Sequence, residues 1–250
     1  VSPVTAAAVI IGNEVLTAKV RDENGPLLIR RLRERGIPLH WMATVPDDVA
    51  AISHAVRHAR SVGTVVFTSG GIGPTHDDVT VQGVAEALGR EVVRSPELEA
   101  VVRRHHEGPF PEAALRLAEV PEGASLLALD GSWYPAITCE RVFLLPGVPE
   151  LFRLQLEAVL ATLEGTPVVV ETLYVALGEA EIAPALDAAA VAFPDVPLGS
   201  YPHFKRGLDY RVKLTAEHVD GARVAALISR LLETLPAGAV VRRERSGPVS

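Results

Sequence analysis

The sequence predicts an α/β fold: a doubly wound, mostly parallel sheet followed by a second, smaller α+β domain of ferredoxin-like order. Three observations predict it. Short apolar runs alternate with amphipathic stretches through residues 1–163, the pattern of repeated strand–helix units. Four of those runs stop at glycines or carboxylates (Glu14, Asp47, Gly70 to Asp78, Gly147), and in an open parallel sheet such stops converge on one rim. Beyond Gly165-Thr166-Pro167, a natural linker, the order becomes strand, helix, strand, strand, helix, strand. The expected boundaries are therefore 1–165, 166–243, and a loose tail at 244–250.

Thr5 to Ile11 is a buried strand ended by Gly12-Asn13-Glu14. Glu14 then stands where an open sheet places ligand groups, although a solvated turn carboxylate would read the same way. Asp22 to Arg35 sets Leu27, Leu28, Ile29 and Leu32 among charges, an amphipathic helix stopped by Gly36. Asn24, near its start, either caps it or meets a ligand. Pro38 to Val45 is the next strand. Asp48 is positioned to cap the helix Val49 to Arg60, which leaves Asp47 free to face a site. His54 and His58 have a spacing that can hold a metal, but with no third ligand nearby they read as a solvated face.

The densest chemistry lies in Val65 to Thr80, VVFTSGGIGPTHDDVT. An apolar strand runs into a loop with Gly70, Gly71 and Gly73, then Pro74, then Asp77 and Asp78, then a helix. Glycines let backbone N–H groups approach a ligand and permit positive φ. Successive amides and the following helix N-terminus make an anion nest that suits phosphate. Carboxylates beside a phosphate imply a bridging divalent cation, so Asp77 and Asp78 point to Mg²⁺. The plainer reading is a turn in which Asp78 or Thr80 caps the helix.

A helix over 81–88 and a short strand over 91–94 follow, then helices from Pro96 to Glu107 and from Glu112 to Ala118. His105 and His106 sit where a helix dipole favours them. Ser125 to Leu129 is a strand, and Ile137 to Leu145 contains another, VFLL. Gly147 precedes the helix Glu150 to Leu163 and repeats the strand–glycine–helix logic, as a second wall of the pocket or as a simple turn. In the second domain the strands are Val168–Ala176, Leu198–Tyr201, Tyr210–Ala216 and Ala239–Arg242, with helices Glu179–Val191 and Ala222–Leu235. Tyr201, His203, Lys205 and Arg206 surround one loop within potential reach of a ligand. No GxxG loop with basic followers is present, which argues against a KH-type RNA module.

Composition narrows the function. A net charge of −7 disfavours nucleic acid as a partner. No apolar run approaches the ~20 residues of a membrane span, and VSPVTAAAVIIGNE lacks the basic start of a signal peptide. The single cysteine excludes an internal disulfide and any multi-cysteine zinc site. A cytoplasmic protein with a small-molecule partner is expected.

TSGGIGPTHDDVT, with IIGNEVL before it and LLPGVPEL after it, resembles the molybdopterin-binding (MoCF biosynthesis) domain family, which includes molybdopterin adenylyltransferases and the N-terminal domain of CinA. GPTHDDVT, FLLPGVPEL, the segment Asp130–Glu140 and GSYP at Gly199–Pro202 are similar to the corresponding domains of animal-type FAD synthase. GSWYPAITCE stands where CinA proteins carry a GT-P-GF segment, a departure from that branch. The sequence holds neither an amidohydrolase domain nor a reductase-like adenylyltransferase domain, so neither NMN deamidation nor FAD synthesis is expected of it.

The resemblance implies a nucleotide or pterin phosphate bound between the glycine loop and the Pro-Gly loop. The motif positions that would contact it are Gly12, Asn24, Ser69, Gly70, Gly71, Gly73, Pro74, Thr75, Thr80, Pro146 and Gly147. Asp47 and Asp78 match the family's catalytic positions, with Glu14, Asp47, Asp77 and Asp78 as ligands of Mg²⁺ (or Mn²⁺ or Co²⁺), and molybdopterin itself is a candidate ligand. The leading expectation is a nucleotide pyrophosphatase that cleaves ADP-ribose or FAD to AMP and a second phosphate product. The alternatives are a molybdopterin adenylyltransferase and a non-catalytic nucleotide- or pterin-binding module. A homodimer is expected from the family tendency and the prevalence of two-fold symmetry.

Overall fold

The computed structural model describes residues 3–106, 109–204 and 207–247. It divides into two compact units, Val1–Gly165 and Thr166–Ser250. In the first unit the elements are β1 (Ala6–Ile11), α1 (Asn13–Leu16), α2 (Asn24–Glu34), β2 (Leu39–Val45), α3 (Val49–Val62), β3 (Val65–Ser69), α4 (Thr80–Leu88), β4 (Val92–Arg94) and α5 (Pro96–His105). A 3₁₀ helix (Glu112–Ala118), β5 (Glu119–Pro121), β6 (Ser125–Leu127), β7 (Ala136–Cys139), β8 (Val142–Leu145) and α6 (Pro149–Ala161) complete it.

The main sheet has the order β2-β1-β3-β8-β7-β6. Its four strands β2, β1, β3 and β8 are parallel, while β7 and β6 run antiparallel to their neighbours. Every residue of β1 and β3 is buried, as the central strands of a sheet covered on both faces must be. Alternation along β1 divides the core. Ala7, Val9 and Ile11 pack with Ile52 and Val56 of α3 and Val84 of α4, whereas Ala6 and Ala8 pack with Leu28 and Leu32 of α2 and Phe152 and Leu156 of α6. That two-sided covering is the doubly wound arrangement.

Local chemistry sets the boundaries. Asp48 caps α3 by accepting from the Ala51 amide at 2.9 Å, and Ser95 caps α5 through the Leu98 amide. α4 stops at Gly89, whose φ is 64°. Several sequence expectations are corrected. Residues 137–145 hold two strands, because Glu140 (φ 45°) and Arg141 (φ 64°) form a tight left-handed turn that returns β7 as β8. Residues 112–118 form a 3₁₀ helix. The short strand β5, which pairs with β4, was hidden in an unremarkable EVP.

The second unit contains β9 (Val169–Val175), α7 (Glu179–Ala192), β10 (Leu198–Pro202), β11 (Val212–His218), α8 (Gly221–Thr234) and β12 (Val240–Ser246). Its antiparallel sheet has the order β10-β11-β9-β12, the ferredoxin-like arrangement. Its core joins Leu173, Val175 and Leu214 of the sheet to Ile182 of α7 and Leu227, Ile228 and Leu231 of α8. The loose tail expected from Glu244 is corrected: β12 runs to Ser246. A buried charge explains the extension. Glu171 in β9 is 1% exposed and accepts from Arg243 Nη2 at 2.8 and 3.1 Å, with Arg245 Nε 3.8 Å away. Residues 248–250 lie outside the described residues. Among the described residues no helix is long and apolar enough to cross a membrane.

The asymmetry of that pair gives a stability test. Removing Arg243 strands a buried carboxylate, while removing Glu171 leaves arginines that water can solvate. Arg243→Met is expected to cost about 1–3 kcal/mol, moderated by Arg245 and by the half-exposure of Arg243. Glu171→Met should cost less. Urea unfolding of the whole chain measures both, and equal or reversed losses would contradict this account.

Candidate phosphate-binding site

Because β2, β1, β3 and β8 are parallel and in register, their C-terminal ends form one rim. Ile11 pairs with Val45, Ile10 with Ser69, and Ser69 with Leu145. The chain leaves the sheet there at Gly12, Pro46, Gly70 and Pro146. Backbone bonds continue the ladder one step further: the Gly12 amide donates to Val45 O and the Gly70 amide to Leu145 O, both at 3.1 Å.

The glycine loop is shaped by close backbone approach. Gly70 has φ 104°, and a Cβ there would lie 2.2 Å from Ile11 O; Gly71 has φ 65°, and a Cβ there would lie 2.4 Å from Thr80 Oγ1. Thr80 folds the loop onto itself, its hydroxyl donating to Gly70 O at 2.8 Å and its amide to Gly71 O at 2.9 Å. Among the described residues the amides of Gly71, Ile72 and Gly73 have no hydrogen-bond partner. They are the successive free donors of an anion nest.

The Pro-Gly loop stands against this nest. A Cβ on Gly147 would meet Gly70 Cα at 3.4 Å. Asn24 joins the two loops, its Nδ2 lying 2.9 Å from both Ser69 Oγ and Gly147 O. The Ser69 hydroxyl also reaches Pro146 O at 3.4 Å. Asn24 does not cap α2, whose N-cap is Glu23; its side chain is buried, and its Oδ1 accepts no hydrogen bond.

Carboxylates ring the site without forming one cluster. Asp78 stands over Gly73, where a Cβ would meet its Oδ2 at 2.5 Å, and it accepts from the Thr75 amide at 2.9 Å. Thr75 Oγ1 lies 2.5 Å from Asp78 Oδ2 and 2.7 Å from Asp77 Oδ1. The Thr75 hydroxyl, then the backbone, hold the Asp77 carboxyl below the usual carboxylate range. The helix-cap reading of Asp78 and Thr80 is corrected: Val79 occupies the α4 N-cap, with no side-chain cap bond. Asp47 Oδ2 accepts from the Asn13 amide at 2.8 Å. Glu14 folds over Gly12, where a Cβ would meet its Oε1 at 2.6 Å. Among the described residues no group of three or more His, Cys, Asp or Glu could hold a metal ion. Glu14, Asp47, Asp77 and Asp78 are therefore distributed around the rim, each parked on a neighbouring amide, glycine or hydroxyl. Pro74 is exposed at the tip of the loop.

His58 packs edge-on to Trp41 at 4.9 Å between ring centroids. In the second unit His203 packs against Tyr210 and Tyr201 is exposed, while Lys205 and Arg206 lie outside the described residues. Sequence reasoning missed three arginines, Arg21, Arg30 and Arg153, which line a cavity beside Asn24. Their separation in sequence gave no signal.

Residues 7–165 match the family model described as the probable molybdopterin binding domain. The chain belongs to the molybdopterin-binding domain family. Residues 167–244 match the FAD synthase, middle domain. A probable FAD synthase of Caenorhabditis elegans is 32% identical over 95% of this chain and 51% of that protein. A CinA-like protein of Syntrophus aciditrophicus is 32% identical over 94% of this chain and 58% of its own length. The chain thus spans little more than half of these relatives. The crystal structure of the protein CinA, of unknown function, from Thermoplasma acidophilum superposes with a TM-score of 0.59 at 27% identity, covering 64% of this chain and 98% of that one.

Two glycines with left-handed backbones separate strain from space. Gly89 (φ 64°) has nothing within 4 Å of a Cβ, so Gly89→Ala should cost only the left-handed penalty of about 1–2 kcal/mol. Gly70→Ala adds a clash with Ile11 O and is expected to cost several-fold more. Chemical denaturation of the two variants decides it, and similar losses would mean that the Gly70 contact is loose.

Proposed function

We propose that the first unit binds a phosphorylated pterin or nucleotide, with its phosphate on the amides of Gly71, Ile72 and Gly73 and its flank against Gly147. The carrying observation is the apposition of the two glycine loops, fixed by Asn24 and left with unsatisfied donors. The family described by molybdopterin binding supports the same ligand class.

A divalent cation fits this donor set as a passenger of the phosphate. Mg²⁺ keeps several waters and takes one or two protein carboxylates together with phosphate oxygens. Asp77 and Asp78, side by side at Thr75, can turn from the hydroxyl to such an ion, with Asp47 and Glu14 at the same rim. When bound, the cation would neutralise charge developing on the phosphorus oxygens. The protein's own part is to hold the phosphate by backbone amides, orient it by Asn24 and Thr80, and supply Asp78 or Asp47 to position the attacking group. Mn²⁺ or Co²⁺ would serve in the same place. The cytoplasmic location expected from composition and the homodimer expected from the family tendency belong to this proposal.

Joining AMP to a pterin phosphate is the reaction this reading favours. Hydrolysis of ADP-ribose or FAD to AMP is the second reading, and the match of residues 167–244 to the FAD synthase middle domain favours it. A site that only binds is the third outcome. Calorimetry with AMP and Mg²⁺ tests the shared claim, and absence of AMP or pterin-phosphate binding at millimolar ligand would contradict it. Product analysis after incubation with ATP and molybdopterin, with ADP-ribose and with FAD separates the reactions.

Asp78 is the sharpest mutational probe. Asp78→Asn retains the turn at Thr75 but weakens the cation's hold. Turnover is expected to fall about a hundredfold, while the melting temperature stays near that of the wild type. An unchanged rate in an active protein would assign Asp78 a purely structural role.

A further inference from the structure

A cavity of about 270 Å³ opens where the N-termini of α2 and α6 meet. It is lined by Arg21, Asn24, Arg30, Pro149 and Arg153, together with the carboxylates Asp22 and Glu23. It borders the proposed phosphate site, because Asn24 bonds to Ser69 and Gly147 and Pro149 begins the helix that follows the Pro-Gly loop. Since one water takes about 30 Å³ of liquid, a phosphate group has room here.

Two features give this cavity a preference for anions. First, among the described residues Arg21, Arg30 and Arg153 make no hydrogen bond or ion pair, although the chain carries a net charge of −7 and many other arginines are paired. Second, α6 has no side-chain cap bond, and its N-terminus faces the cavity. Of the two opposing carboxylates, Asp22 is committed to the Gly25 amide at 3.0 Å. Unpaired guanidinium groups beside an uncapped helix N-terminus ask for a ligand with concentrated negative charge, such as a phosphate ester. The two helices are tied together by Arg31 of α2, which makes a paired contact with Glu157 of α6 through Nε (2.5 Å) and Nη2 (2.6 Å).

We propose that this cavity is a second anion subsite, in which Arg21, Arg30 and Arg153 hold a phosphate of the ligand half that the glycine nest does not hold. The proposal rests on the phosphate-binding reading above and deepens it: the natural ligand carries two phosphates, either as adjacent groups of a dinucleotide or as a terminal phosphate on a pterin partner.

The test compares wild type with Arg30→Ala/Arg153→Ala and, as rescue, Arg30→Lys/Arg153→Lys. Both arginines are exposed and unpaired, so folding is expected to survive, and thermal melting checks it. Binding of inorganic pyrophosphate, AMP, ADP-ribose and a pterin phosphate ester is measured with Mg²⁺ and again in EDTA. The expected result is a loss of tenfold or more for pyrophosphate in the alanine variant, partial recovery in the lysine variant, and unchanged AMP affinity. A matching loss for ADP-ribose identifies the dinucleotide source; a matching loss for the pterin ester alone identifies the other. Arginine-dependent pyrophosphate binding without AMP binding would keep the subsite and overturn the glycine-nest reading. Pyrophosphate binding that is absent, or equal in all three proteins, would overturn the subsite whatever AMP does.

Discussion

The Asn24 amide is the tie on which the site depends. Its Nδ2 reaches Ser69 Oγ and Gly147 O, so one side chain from the start of α2 fixes the ends of β3 and β8 against each other. It adds to the bond from the Gly70 amide to Leu145 O, the 3.4 Å contact from Ser69 to Pro146 O and the packing of Gly147 on Gly70. Every other feature of the rim is built outward from this junction. The nest is the loop that leaves β3, α4 begins where Thr80 folds that loop back, and the arginine cavity opens on the far side of Asn24. The arrangement leaves Oδ1 buried without a partner, at a cost of about 1–3 kcal/mol.

The electrostatics follow from the same geometry. Amides and helix N-termini point to the rim and make it attractive to anions, while four carboxylates surround it. Each carboxylate is held on a neighbour: Asp47 on the Asn13 amide, Asp78 on the Thr75 amide, Asp77 on the Thr75 hydroxyl, and Glu14 over Gly12. Asp77 and Asp78 share the Thr75 hydroxyl, while Asp47 and Glu14 are held on other neighbours. An incoming phosphate with its cation would exchange those weak partners for stronger ones.

Much of this was legible in the chain, for physical reasons that differ by element. The parallel core was readable because β1 is an unbroken apolar run and β3 opens with one, Val65-Val66-Phe67, as strands buried on both faces do. The rim was readable because glycines and carboxylates interrupt those runs at matching places. The β7–β8 hairpin was not, since its turn uses Glu140 and Arg141 in left-handed conformations that favour glycine or asparagine. The end of β12 from Glu244 reads as a polar tail until the buried Glu171 is known to draw Arg243 and Arg245 to it. Asp78 reads from the sequence as a metal ligand, with a helix cap as the plainer alternative; only the fold shows that it holds the Thr75 amide rather than capping α4. The arginine cavity depends on α2 meeting α6 across more than a hundred residues, a contact that no local pattern announces.

The central claim is that the two glycine loops act as one binding surface. Amide chemical shifts of ¹⁵N-labelled protein, followed while AMP and Mg²⁺ are titrated in, test it directly. The account predicts that Gly71, Ile72, Gly73 and Gly147 shift together with one saturation curve, and that the amides of the second unit stay put. Shifts confined to one loop, or centred away from the rim, would contradict it.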